Sequence, residues 1–200
     1  MDIGSIIGRV QRGEHDAFAS IVERYQSPLF GYLWRLGLDR SRAEDIAQET
    51  FVRAWRGLDG FRSERAAFST WLFAIARNLA FDSLSTSARD PASVSVEDMP
   101  QATDLAHPGA DPATRFEQGR EFERLHAALR RLPVAERGAL ALAVIGGFPL
   151  AEVARIEGAS LAAIKVRIHR GRARLRALLD DQADAAHGSG PETTEYDDDR

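Results

Sequence analysis

From Ser160 to Arg176 the sequence reads SLAAIKVRIHRGRARLR, with Lys165, Arg167, Arg170, Arg172, Arg174 and Arg176 and no acidic residue. Six cations in one stretch suit the neutralisation of phosphates, which supplies most sequence-independent affinity for DNA. Nothing comparable points to bond-making chemistry. The five histidines stand at 15, 107, 126, 169 and 187, with no metal-ligand spacing between any two. Neither a nucleophile elbow nor a Gly-rich phosphate loop occurs. An enzyme is rejected on these grounds, and neither a cofactor, a metal site nor a small-molecule substrate is expected. The absence of cysteine removes thiolate chemistry and agrees with a reducing cytoplasm, where the chain is expected to reside.

A net charge of −4 argues against nucleic acid only when it is averaged. Residues 1–89 hold 12 Arg against 11 acids, and residues 90–117 hold 1 Arg against 6 acids. Residues 118–180 then carry 12 basic residues against 6 acids, and residues 181–200 carry 1 against 7. The positive charge is concentrated where the phosphate-binding stretch lies. No run of eighteen apolar residues occurs and the N-terminus lacks a signal-peptide pattern, so neither a membrane span nor a secretory signal is expected.

The elements that must carry these residues are helical. Phe18, Ile21, Val22, Tyr25, Leu29, Tyr32, Leu33 and Leu36 recur at three- and four-residue steps over Asp16–Leu36. In SRAEDIAQETFVRAWRGL the residues Ala43, Ile46, Ala47, Thr50, Phe51, Ala54 and Trp55 form a second stripe. Ser41 and Glu44 read there as a capping box that starts the helix at Arg42. Over Ser69–Leu84, Trp71, Leu72, Ile75, Ala76, Leu79 and Ala80 form a third, giving an N-terminal bundle of three to four helices. A stretch rich in Pro, Ser, Ala and Asp follows and reads as a linker. Helices resume near Arg115 and run through Leu125, Leu129 and Leu132; Pro133 opens the next helix, and Gly146-Gly147 ends it.

Pro149–Arg176 then gives a short helix with Leu150, Val153 and Ala154 inward and a tight left-handed turn at Gly158. Ser160 is placed to cap a second helix, whose inward stripe is Leu161, Ile164, Ile168 and Leu175. This is a helix-turn-helix, whose second helix enters the major groove. The expected fold is all-α: two small helical domains, at 1–88 and 118–180, joined by a flexible acidic linker at 89–117. A disordered acidic tail is expected at 181–200.

Taken together, the two halves resemble bacterial sigma factors of the extracytoplasmic-function group. AEDIAQETFVRAW resembles that group's region 2.2, and FRSERAAFSTWLFAIARNLAFD resembles regions 2.3 and 2.4. ALRRLPVAERGALAL and PLAEVARIEGASLAAIKVRIHRGRARLR are similar to region 4. The resemblance implies a protein that binds core RNA polymerase, through the β′ clamp helices and the β flap, and directs promoter-specific initiation. An anti-sigma factor, often membrane-anchored in this group, is the implied regulator.

It also assigns residues. Asp45, Gln48, Glu49 and Val52 match the surface that docks on polymerase. Phe61, Arg62, Ser63, Glu64 and Arg65 match the loop that pockets a flipped base of the minus-ten element, with Asn78 helping to form the pocket. Base extrusion costs a few kcal/mol, to be recovered by hydrogen bonds and stacking, and Phe61 is a candidate platform. Ser160, Lys165, Val166, Arg167, His169, Arg170 and Arg174 match the minus-thirty-five reader. Two departures stand out. Asp82-Ser83-Leu84-Ser85 replaces a commonly Arg-rich stretch, and Ala162-Ala163 stand where Gly-Thr is common. The alternatives are a helix-turn-helix regulator that needs no polymerase, and a sigma-like decoy that does not initiate.

Overall fold

The computed structural model describes residues 2–87, 121 and 123–187, and every regular element among them is helical. Helix α1 (Ile3–Gln11) starts where the Asp2 carboxylate accepts the Gly4 amide at 3.0 Å, and it buries Ile6, Ile7 and Val10. A 3₁₀ turn at His15–Ala17 leads into α2 (Phe18–Arg35). Helices α3 (Arg40–Gly57) and α4 (Phe68–Ser87) complete the first group. The second group holds α5 (123–130), α6 (Val134–Leu140), α7 (Leu150–Glu157) and α8 (Leu161–His187). No helix among the described residues is long and apolar enough to cross a membrane.

Several local expectations need correction. The cap of α3 is Asp39, whose carboxylate accepts the Arg42 amide at 2.8 Å, so the helix begins at Arg40. Ser41 lies inside the first turn, and Glu44 pairs backwards with Arg40 at 2.9 Å. Pro133 is itself the cap residue before α6, whose end widens into a π turn at Ala141–Ile145 before Gly146. Helix α8 continues to His187, past Asp181 where the tail was expected to begin. The remainder of that expectation, and the linker, fall on residues outside those described.

Helix α2 packs on α3 and α4, α6 on α8, and α4 on α7. One apolar cluster therefore runs from Ile21, Leu29 and Leu33 through Leu72 and Ala76 to Leu142, Val153 and Ile164. The sequence gives no sign of this last contact, because two domains on a linker need not touch. Between the groups the Thr70 hydroxyl donates to Glu152 at 2.7 Å, and Phe73 meets Phe148 at 5.0 Å between ring centroids. Trp34 of α2 stacks on His126 of α5 at 3.6 Å.

His126 is 5% exposed, and its Nε2 faces the Trp34 carbonyl at 3.1 Å, so the neutral ring donates from that nitrogen. Burial lowers its pKa to about 4; the Trp34 carbonyl opposes this, and Arg130, Arg137 and Arg35 add to it. An unfolded histidine titrates near 6.5. Between about 4 and 6.5 the unfolded chain takes up a proton that the folded chain refuses, so stability falls as pH drops through that window. Above it the two forms carry the same charge there. Compared by calorimetry between pH 7.5 and 5, His126→Phe is expected to lose less thermal stability than the parent chain. Parallel losses would remove His126 as the cause.

Candidate nucleic-acid and polymerase interface

The turn before α8 is built as its residue types require. Gly158 sits at φ 60°, in the left-handed region where a Cβ is costly. Ser160 Oγ accepts the Ala163 amide at 3.1 Å and leaves its own hydroxyl proton to donate outward. Ile164 and Ile168 are buried and fix the rotation of α8. The opposite face is thereby turned to solvent, with Lys165, Val166, His169, Arg170, Arg172 and Arg176 all exposed. Among the described residues none of the cations Lys165, Arg170, Arg172 and Arg176 has a carboxylate partner. Leu161, expected inward, is 44% exposed and flanks this face.

Two of the expected DNA contacts are engaged elsewhere. Arg174 donates to the buried Glu136 of α6 at 2.7 Å, which ties α8 to α6. Arg167 reaches Glu157 at 3.4 Å. Glu157 is 2% exposed, and it also faces Arg77 of α4 at 3.9 Å. Burial raises the Glu157 pKa, while Arg77 and Arg167 oppose the shift. Sequence periodicity missed this carboxylate, because a charged residue at the end of a short helix reads as solvated.

On α3, Asp45 and Gln48 are exposed, while Glu49 and Val52 are half-buried on the same helical face. Glu49 is held by Arg53 at 2.7 Å, as an i,i+4 pair. Trp55 continues this face. It was expected in the buried stripe but is 37% exposed, with Phe18 and His15 edge-on at 4.9 and 5.1 Å. The outer surface of α3 thus runs from a carboxylate to an aromatic ring.

The loop between α3 and α4 places its residues unevenly. Phe61 is 7% exposed and packs against Phe68 and Trp71 at 5.5 and 5.1 Å, so its ring anchors the loop and is not an open stacking platform. Arg62 turns back, its Nη1 donating to the carbonyls of Asp59 and Phe61 at 2.7 and 2.9 Å. Ser63, Glu64 and Arg65 form the exposed tip. Asn78 is exposed on α4, and its Oδ1 accepts from Arg77 at 3.1 Å. Among the described residues no group of His, Asp and Glu could hold a metal ion.

Comparison with known proteins gives a family for each of the two helical groups. Residues 21–90 match Sigma-70 region 2, and residues 122–175 match Sigma-70, region 4. The chain is 33% identical over 185 residues to the ECF RNA polymerase sigma factor SigW of Bacillus subtilis, covering 90% of this chain and 98% of that protein. It is 34% identical over 163 residues to the ECF RNA polymerase sigma factor RpoE of Cereibacter sphaeroides, covering 80% and 84%. Among solved structures it is similar to CnrH in complex with the cytosolic domain of CnrY, with TM-score 0.63, 28% identity, and 88% and 96% of the two chains covered. It is also similar to RpoE in complex with the anti-sigma factor NepR from Bartonella quintana, with TM-score 0.65, 26% identity, and 82% and 96% covered.

Proposed function

Because the chain belongs to the extracytoplasmic-function sigma factors of the sigma-70 family, we propose that its two helical groups divide promoter recognition between them. Residues 1–88 dock on the β′ clamp helices through the outer face of α3 and open the minus-ten element with the α3–α4 loop and Asn78. Residues 118–180 engage the β flap and hold duplex DNA at the minus-thirty-five element with α8. Residues 89–117 connect the two. An anti-sigma factor controls the chain, as NepR is bound to RpoE in a similar structure.

The observation that carries this reading is the division of α8 into a buried face, fixed by Ile164 and Ile168, and an exposed face with four cations that no carboxylate among the described residues neutralises. Phosphates are the complementary partner. Lys165, Arg170 and Ser160 are assigned to the phosphate backbone and to the first bases, with Val166 against a thymine methyl and His169 beside it. Arg174 is assigned to the α6–α8 junction.

Transcription in vitro with core polymerase on a promoter library tests the whole reading. Run-off transcripts that start downstream of a shared two-part motif are expected. Duplex binding without initiation would favour the helix-turn-helix regulator. Single variants test the assignments on α8. Lys165→Ala and Arg170→Ala are each expected to weaken duplex binding across all sequences and to reduce the slope of log K against log salt by about 1, with the thermal midpoint unchanged. Arg174→Ala is expected to do the reverse. It leaves the buried Glu136 without its cation, so the midpoint falls while the salt slope changes little. A salt slope reduced equally by all three would return Arg174 to the DNA contacts.

A further inference from the structure

One polar link to the minus-ten loop comes from outside the helices on either side of it. Gln11, the last residue of α1, donates from Nε2 to the Leu58 carbonyl at 2.8 Å and to the Phe61 carbonyl at 3.2 Å. These two carbonyls bracket the 3₁₀ turn Leu58–Gly60, which forms the stem of the loop. Each already has a donor of its own. The Phe61 amide reaches Leu58 at 3.0 Å, and Arg62 reaches Phe61 at 2.9 Å. Removing Gln11 therefore leaves no buried carbonyl unpaired, and its cost to folding is small. What Gln11 adds is position: it ties the stem to a helix whose apolar face, Ile6, Ile7 and Val10, is locked into the core.

We infer that Gln11 is a positioning residue for minus-ten recognition, acting through the Leu58 and Phe61 carbonyls on the exposed tip Ser63–Arg65. The inference rests on the proposal that this loop reads the minus-ten element. A flipped base must be met by hydrogen-bond donors and acceptors in fixed places, and a pocket loosened by an ångström loses discrimination before it loses binding. The stem is held at several points, and Leu58 at its start is itself buried in the core. The Phe61 ring anchors its side chain in the core, Arg62 closes the turn on itself, and Gln11 sets where the closed turn stands relative to the bundle. Sequence reading cannot find this residue, because 47 to 50 positions separate the donor from its acceptors.

The test uses the full chain with core polymerase, on promoters selected from a randomised library by the parent protein. Gln11→Leu, which removes the donors at similar size, is expected to reduce discrimination between selected and single-base-altered minus-ten elements by about 5- to 10-fold. Thermal midpoint, core-polymerase affinity and the salt slope of duplex binding should stay at parent values. Gln11→Glu, which turns the donor into a carboxylate against two carbonyls, should lower discrimination further. Gln11→Lys, which keeps a donor, should restore part of it. Discrimination equal to the parent in Gln11→Leu overturns the inference. So does a uniform loss on all promoters that tracks a lowered thermal midpoint, because that marks a merely structural contact. Replacing Ser63, Glu64 and Arg65 together by glycine separates the two proposals. If that variant keeps the parent minus-ten preference, the loop reading itself has failed.

Discussion

Asp45→Arg is expected to abolish transcription from the chain's own promoters while leaving it folded and still able to bind duplex DNA. Asp45 stands exposed on the outer face of α3 and has no ion pair among the described residues, so reversing its charge breaks no contact within the fold. Surface changes of that kind cost within about 0.5 kcal/mol. At the polymerase the consequence differs. Under the proposed docking, a carboxylate that faces a polymerase cation across a desolvated interface is replaced by a like charge, and disrupting such a pair costs about 2–5 kcal/mol. That is roughly 30- to 4000-fold in Kd. Gln48→Ala, which removes a neutral hydrogen-bonding group beside it, should cost far less. Competition binding to core polymerase reads the effect, with the thermal midpoint and duplex affinity as internal controls. If the variant binds polymerase as the parent does, the docking face of α3 lies elsewhere, and Trp55 becomes its first candidate.

The parts of this molecule that were legible in sequence are those set by local chemistry. Gly158 and Ser160 fix a turn within three residues, and Ile164 and Ile168 fix a helix rotation within two turns, so each could be read without knowing what lay opposite. The cap of α3 shows where local reading fails. Asp39 and Ser41 are both good capping types two residues apart, and only the backbone decides, in extended conformation at Asp39. Apolar residues at helix ends were also misplaced. Leu161 and Trp55 fit their apolar stripes by spacing, yet they are 44% and 37% exposed, and Trp55 is covered only edge-on by Phe18 and His15.

The long-range carboxylate contacts were not legible at all. Glu157 and Glu136 are buried where other helices bring Arg77, Arg167 and Arg174 to them. Their effect on the site is considerable. Of the cations expected to face DNA, the fold spends two on its own carboxylates and leaves Lys165 and Arg170 turned outward. A count of basic residues along α8 therefore overstates its capacity for phosphate. The helix is a structural element of its domain on one side and a polycation on the other, and the boundary follows packing against α6 and α7.

That boundary makes Gly171→Val the second severe substitution. A Cβ at Gly171 would lie 2.7 Å from Leu140 Cδ1 and 3.2 Å from its Cγ, and Leu140, 3% exposed, has only the packed core to move into. Glycine is needed here for close approach, not for its backbone freedom. Alanine would recover up to about 1 kcal/mol of helix propensity against the clash. Valine recovers less, and its stiff χ1 offers no escape. Overpacking of this kind costs about 1–3 kcal/mol, and the way to relieve it is to push α8 away from α6. Arg174, one turn further along, would then lose Glu136, and Lys165 and Arg170 would no longer stand in register with the Gly158–Ser160 turn. Gly171→Val is therefore expected to lower the thermal midpoint and to lose at least about tenfold in duplex affinity. Core-polymerase binding through α3 should be retained, and Gly171→Ala should fall between it and the parent. Duplex binding by Gly171→Val with parent affinity and parent salt slope would show that the α6–α8 approach does not set the recognition helix, and the assignment of Lys165 and Arg170 would lose its geometric basis.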